Sequence, residues 1–234
     1  MNIVRHYLTL IKFALRGNRG FYEAREYLAE LLIDELEEFV DLENKKVLDI
    51  GGERGEFCKI LTQKRNCQAI NLEPRRPVGG FVHKTFIGTA DKLPFGDRAF
   101  DIVILRGVLQ HIPTNLKLKS LKEMHRVLKS GGIAYVMIPP WWSPLSGQDI
   151  KPFQYFGFRL AKHFSNTIMS RKIKANNLAE LGLWPMTYRS ICSYIEQANF
   201  KIIKTTDILG RIHWLTKIPI IRELLPSVGF IIRK

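Results

Sequence analysis

The segment from Lys46 to Phe57, KVLDIGGERGEF, limits the fold of this chain more than any other. An apolar run carrying Asp49 passes through Gly51, Gly52 and Gly55 into a stretch of helical character from Phe57 to Lys64. Glycines at a strand-to-helix turn let the backbone come close to a ligand and aim amide groups at it from the helix N-terminus. The next β-rich run, Ala69 to Glu73, ends in a carboxylate 24 residues after Asp49. An acid at that place can accept hydrogen bonds from both hydroxyls of a ribose.

The rest of the chain repeats the same alternation. Short apolar runs at Phe81 to Ile87, Phe100 to Leu105, Ile133 to Ile138, Lys201 to Ile208 and Val228 to Arg233 suit strands buried on both faces. Between them, Asn115 to Lys129 places Leu118, Leu121, Met124, Val127 and Leu128 on one helical face, and Ser130-Gly131-Gly132 is expected to stop that helix. The result is an α/β fold, a doubly wound, mostly parallel sheet. Two helices precede it: in the second, Ala24, Leu28, Leu31, Leu32, Leu36 and Phe39 form an apolar stripe with acids between. Pro74, Pro77 and the glycines after them exclude a normal crossover helix between the second and third runs. Residues 1–44 thus read as helices belonging to the same domain as 45–234, with an aromatic and proline-rich insertion at 139–186.

A chain of 234 residues with 46% hydrophobic and 25% charged residues is ordinary for one domain with a sizeable core. Its apolar stretches are broken by Lys, Arg or Pro before reaching the ~20 residues of a membrane span. Neither a span nor a signal peptide is expected. Cys58, Cys67 and Cys192 lie far apart without metal-type spacing, which fits a reducing, cytoplasmic setting without disulfide or metal. The net charge of +14 is uneven: residues 21–44 sum to −8, so the remainder carries +22. Residues 151–180 hold six Lys or Arg against Glu180 alone. Such a field attracts polyanions, whether nucleic acid, anionic lipid or a phosphorylated substrate.

Five blocks, VLDIGGERGEF, NLEP, ADKLPFGDRAFDIVI, VLQHI and EMHRVLKSGGIAYV, run in order across residues 45–140. Here the chain resembles the class I S-adenosylmethionine-dependent methyltransferases, in the branch similar to the ubiquinone and menaquinone methyltransferases. The resemblance implies a Rossmann-like seven-stranded sheet with an antiparallel last strand, and S-adenosylmethionine as cofactor. By position, it gives the methionine part of the cofactor to Asp49, Gly51, Gly52 and Gly55, the ribose to Glu73, and the adenine to Thr89, Ala90 and Asp91. Arg106 and Gly107 would sit beside the methyl donor. Two positions depart from the family. Glu53 replaces a middle glycine, and Thr89 stands where an aspartate commonly meets the adenine amino group, leaving that contact to Asp91.

Methyl transfer is an in-line displacement, and a hydroxyl acceptor also benefits from a base. The candidate bases are His111 and, from the insertion, Asp149 and His163. Trp141, Trp142, Phe153, Tyr155, Phe156 and Phe158 accompany Lys151, Arg159 and Lys162 there, a mixture suited to sugar rings and anionic groups. The pattern loosely resembles methyltransferases of surface-polysaccharide and lipid-linked glycan synthesis. The expected acceptor is therefore a hydroxyl of a small molecule or an anionic, lipid-linked glycan. The basic N-terminal segment, with Ile3, Tyr7, Ile11 and Leu15 on one face, and residues 208–225 could touch an anionic membrane at the cytoplasmic side. Two alternatives stay open: methylation of RNA, and an inactive cofactor-binding scaffold or regulatory subunit.

Overall fold

A computed structural model describes residues 3–207 and 213–234. Helices α1 (Ile3–Ala14) and α2 (Gly17–Glu37) lead into β1 (Lys46–Ile50), α3 (Glu56–Arg65), β2 (Gln68–Glu73), β3 (Thr85–Ile87) and β4 (Phe100–Arg106). Then come α4 (Thr114–Val127), β5 (Leu128–Ile138), α5 (Phe158–Ile168), α6 (Tyr188–Gln197), β6 (Lys201–Thr206), α7 (Pro219–Arg222) and β7 (Val228–Arg233). The seven strands form one sheet in the order β3-β2-β1-β4-β5-β7-β6. β1 to β5 are parallel, whereas β7 runs antiparallel between β5 and β6. This is the Rossmann-like sheet with a reversed last strand that the resemblance implies.

Both faces of the sheet are covered, which is why its strands are nearly continuous apolar runs. On one side Leu48, Val103, Leu105 and Val136 pack with α4 and α6 through Leu121, Met124, Ile191 and Ile195. On the other, Val47, Ile102, Ile104 and Tyr135 pack with α2 and α3 through Leu32, Leu36, Phe57 and Leu61. The acidic helix α2 thus buries its apolar stripe. It also buries Glu35, which the stripe did not reveal; the Lys204 ammonium, 2.9 Å from its Oε1, offsets that buried charge.

Three sequence expectations shift. Helix α4 ends at Val127, and Ser130-Gly131-Gly132 lies inside β5, where the pairing with β4 slips between Phe100 and Ile102. A Cβ on Gly132 would stand 2.9 Å from the Asp101 carbonyl, so the glycines allow close strand approach at a bulge instead of capping a helix. The third strand is only Thr85–Ile87, because it lies at the sheet edge and pairs with β2 alone over three residues. β6 closes at Thr206; Ile208, the expected end of that strand, lies outside the described residues, as do the side chains of Ile3 and Tyr7.

The insertion builds its own small core from Ile150, Ala161 and Ile173 and is tied down at its end. The Lys117 ammonium on α4 donates to the Trp184 carbonyl at 2.7 Å, and the Trp184 amide donates to the Gln110 carbonyl at 2.7 Å. Among the described residues no helix is long and apolar enough to cross a membrane.

Gly229 of β7 is required by packing. A Cβ there would collide with the Tyr135 hydroxyl and come within 2.5 Å of Thr206 Oγ1. Gly229→Ala should cost about 1–3 kcal/mol by overpacking, read as a fall of several degrees in Tm. Adding Tyr135→Phe, which removes one clashing atom, should recover part of the loss.

Candidate functional site

The site grows from the C-terminal ends of β1, β2 and β4. Asp49 of β1 lies in register with Asn71 of β2 and Ile104 of β4, and both polar side chains are buried beneath the glycine turn. Asn71 holds the turn from two sides: its Oδ1 accepts the Gly52 amide at 3.1 Å, and its Nδ2 donates to the Glu53 carbonyl at 3.0 Å. A Cβ on Gly52 would overlap the Asp49 carboxylate and stand 2.6 Å from Asn71 Oδ1. Gly51, at φ +75°, donates to the Leu72 carbonyl at 2.8 Å, and a Cβ there would overlap Val108. Gly55, at φ +89°, starts α3.

Glu53 takes a left-handed conformation, φ +58°, of the kind that favours glycine. For an L-residue this costs about 1–2 kcal/mol. One compensation is visible: the Glu53 amide donates to a carboxylate oxygen of Glu73 at the end of β2. Glu73 therefore sits between Leu72 and Pro74, which line a cavity, with its carboxylate turned onto the glycine loop.

Two cavities meet at Gly51. One, of about 240 Å³, is lined by Leu72, Thr89, Ala90, Asp91, Val108 and His111. The other, of about 330 Å³, is lined by Gly52, Glu53, Glu56, Phe57, Arg106 and Gly107, with Leu28 and Ala29 of α2 closing its side. Burial alone would raise the Asp91 carboxyl, but hydrogen bonds from Thr89 and Lys119 outweigh it and hold Asp91 below its ordinary value. Lys119 Nζ stands 3.1 Å from its carboxylate. Arg106, which ends β4, stacks its guanidinium 4.2 Å over the Phe57 ring and reaches Asp49 Oδ2 at 3.5 Å. Gly107, at φ +64°, is fixed by its amide N–H, which donates to the Met137 carbonyl at 2.9 Å, and by Gln110 Nε2, which donates to its carbonyl at 2.6 Å.

The segment carrying Thr89, Ala90 and Asp91 is held from α4. Arg126 bonds both Glu123 oxygens at 2.7 and 2.8 Å, Asp97 at 2.8 Å, and the Leu93 and Phe95 carbonyls at 3.2 and 2.8 Å. This fork of donors ties the LPFGD and EMHRVL blocks together.

His111 lies where the cavity beside Gly51 adjoins a third one of about 120 Å³ under the insertion, lined also by Gln110, Trp141, Leu145, Gln148 and Lys151. Its Nδ1 is 2.8 Å from the Gly182 carbonyl, which can only accept, so that nitrogen carries the proton. Its Nε2, 3.0 Å from Gln148 Nε2, is then the acceptor. Asp149 and His163 are exposed and line none of these three cavities.

Sequence reasoning did not single out Asn71, Gln148 or Lys117. Asn71 had a signal, a polar residue inside an apolar strand; Gln148 had none, because its position depends on how the insertion folds back. Lys117 is buried, and burial pushes its ammonium down to about 8 from 10.5. Between those values the unfolded chain binds more protons than the folded one, so this group's contribution to stability rises with pH. The Tm advantage of wild type over Lys117→Met should therefore grow by a few degrees between about pH 7.5 and pH 10.

A family profile described as a methyltransferase domain matches residues 24–205. The chain is 27% identical to an uncharacterized methyltransferase of Mycobacteroides abscessus, over 94% of this chain and 89% of that protein. Among solved structures, the S-adenosylmethionine-dependent methyltransferase of Mesorhizobium loti superposes with a TM-score of 0.56 at 15% identity, covering 86% of this chain and 96% of that one. The 1,6-didemethyltoxoflavin-N1-methyltransferase of Burkholderia thailandensis, solved with 1,6-didemethyltoxoflavin and S-adenosylhomocysteine, gives a TM-score of 0.57 at 12% identity, with 100% and 91% covered.

Proposed function

Because the chain belongs to the methyltransferase-domain family and is an S-adenosylmethionine-dependent enzyme, we propose that it methylates a hydroxyl of an anionic, lipid-linked or otherwise glycan-like acceptor. The observation that carries this reading is the position of His111, which lines both the cavity beside Gly51 and the cavity under the insertion. When bound, the cofactor supplies an electrophilic methyl group on a sulfonium.

The residues present fit that cofactor. The glycine turn has no room for side chains at Gly51 and Gly52, so its backbone can lie close to a ligand. In this reading Leu72, Thr89, Ala90 and Asp91 hold the adenosyl part, and Glu73 takes the ribose from the rim. The lobe with Arg106 on one side and Glu53 and Glu56 on the other suits a group bearing both a carboxylate and an ammonium.

On the acceptor side, Trp141 supplies an apolar face and Lys151 a cation in the same cavity. An acceptor hydroxyl that displaces the Gln148 amide would donate to His111 Nε2. The Gly182 carbonyl would keep the ring in the tautomer able to take that proton. The second reading, a cofactor-binding scaffold without turnover, is favoured by one observation: Gln148 occupies His111 Nε2 in this conformation.

Titration with S-adenosylhomocysteine, combined with turnover on glycan acceptors, decides between them. Glu73→Ala should weaken binding at least about tenfold, a loss on the order of 1.4 kcal/mol. His111→Ala should leave that affinity in place and lower kcat by roughly 10²–10⁴. Undiminished kcat in His111→Ala would remove the base assignment, and binding without turnover on any acceptor would establish the scaffold.

A further inference from the structure

The insertion carries an outward face that the cofactor and acceptor cavities do not use. Ala161 and Ser165 turn α5 inward onto Ile150 and Ile173, which leaves the opposite side of the helix to solvent. Flanking the buried side, Leu160, Phe164 and Ile168 follow at four-residue intervals along α5, and Phe156, in the turn before the helix, meets the Phe164 ring with centroids 6.0 Å apart; Phe156, Leu160 and Ile168 are 58%, 53% and 66% exposed, with Met169 next to them. Four-residue spacing places Leu160, Phe164 and Ile168 in one stripe along the helix. Beside it, Trp142 and Tyr155 stack in parallel with centroids 6.2 Å apart, both partly exposed, and the Tyr155 hydroxyl donates to the Trp142 carbonyl at 2.9 Å. The aromatic pair is therefore held rigidly at the surface.

The charge of the insertion is predominantly positive. Arg171 and Lys162 are committed to backbone carbonyls, Arg171 to Asp149 and Lys151, and Lys162 to Lys174 and Ala175. Of the two acids in the insertion, Glu180 is engaged by Asn176 and Asn177, and the exposed Asp149 lies beside Arg171, which bonds its carbonyl. Arg159, Lys172 and Lys174 are exposed and, among the described residues, form no ion pair with an acid.

We propose that this face of the insertion docks on an anionic lipid bilayer, with Phe156, Leu160 and Ile168 entering the interface and Arg159, Lys172 and Lys174 meeting the headgroups. An amphipathic helix with bulky apolar residues on one side and cations beside them lies in the plane of a membrane surface, and aromatic rings such as Trp142 and Tyr155 settle at headgroup level. Each basic residue near such a surface adds to the attraction, which salt weakens. The docking deepens the proposed function and rests on it in one respect: Trp141 lines the acceptor cavity while its neighbour Trp142 faces outward, so the docked face is continuous with the rim through which a lipid-linked acceptor would enter.

Cosedimentation of the full chain with vesicles of phosphatidylglycerol and phosphatidylcholine, against phosphatidylcholine alone, tests this. Anionic vesicles should bind at least about tenfold more tightly, with the preference lost in high salt. Leu160→Glu and Ile168→Glu, both at exposed positions, should each lower vesicle binding about tenfold or more while S-adenosylhomocysteine affinity is unchanged. Equal binding to both vesicle types, or full binding by Leu160→Glu, overturns the docking. So does a change in Leu160→Glu confined to self-association on size exclusion, or a loss in Arg159→Glu confined to RNA binding. No anionic preference alongside intact turnover of a detergent-solubilised acceptor removes the docking and leaves the acceptor standing. Salt-sensitive, Leu160-dependent vesicle binding with no turnover on any hydroxyl acceptor sustains the docking and removes the acceptor.

Discussion

Two buried polar side chains beneath a glycine turn set the geometry on which the rest of this molecule depends. Asp49 and Asn71 come from adjacent parallel strands, and their register places them side by side at the C-terminal edge of the sheet. With the Asn71 amide spanning the turn and the Asp49 carboxylate filling the space under Gly52, the backbone from Gly51 to Gly55 has little freedom. A buried polar pair of this kind is costly unless satisfied, and satisfying it orders the loop above. Glu53 shows how strong the constraint is. The turn keeps its left-handed residue even with a side chain in place, and the Glu73 carboxylate takes up the amide so presented.

Around that turn, separate tethers bring distant segments to one edge. Arg126 draws the loop bearing Thr89 to Asp91 onto α4, and Lys117, from the same helix, draws the end of the insertion down through Trp184. His111 follows β4 closely and receives the insertion on both ring nitrogens, from the Gly182 carbonyl and the Gln148 amide. Helix α4 thus fixes the floor of one cavity and the roof of another. Its amphipathic pattern advertises the packing face, while the two cations that perform the tethering lie among ordinary-looking polar residues.

Much of the fold was legible in the residues. Buried parallel strands read as unbroken apolar runs, so β1, β2, β4, β5 and β7 could be placed within a few residues, and the stripe on α2 announced its burial. The errors share one cause. Ser130-Gly131-Gly132 reads locally as a helix stop, yet its glycines serve the approach of β5 to the Asp101 carbonyl. Phe86 and Ile87 read as strand together with residues before them, but β3 at the sheet edge has one neighbour only and pairs over three residues. Glu35 looked like one acid among many on α2, and its partner Lys204 lies far along the chain on the other edge of the sheet.

The succession of strands and helices along the chain, the glycine turn, the acid closing β2 and the basic, aromatic character of the insertion follow from local pattern, because periodicity and turn chemistry act over neighbouring residues. Long-range packing supplied the remainder: the meeting of two cavities at Gly51, the bracket formed by Asn71, the hold of Gln148 and Gly182 on His111, and the outward stripe of α5. Each of these depends on side chains brought together across tens of residues, and their distances are set by how the elements pack, which no local pattern encodes.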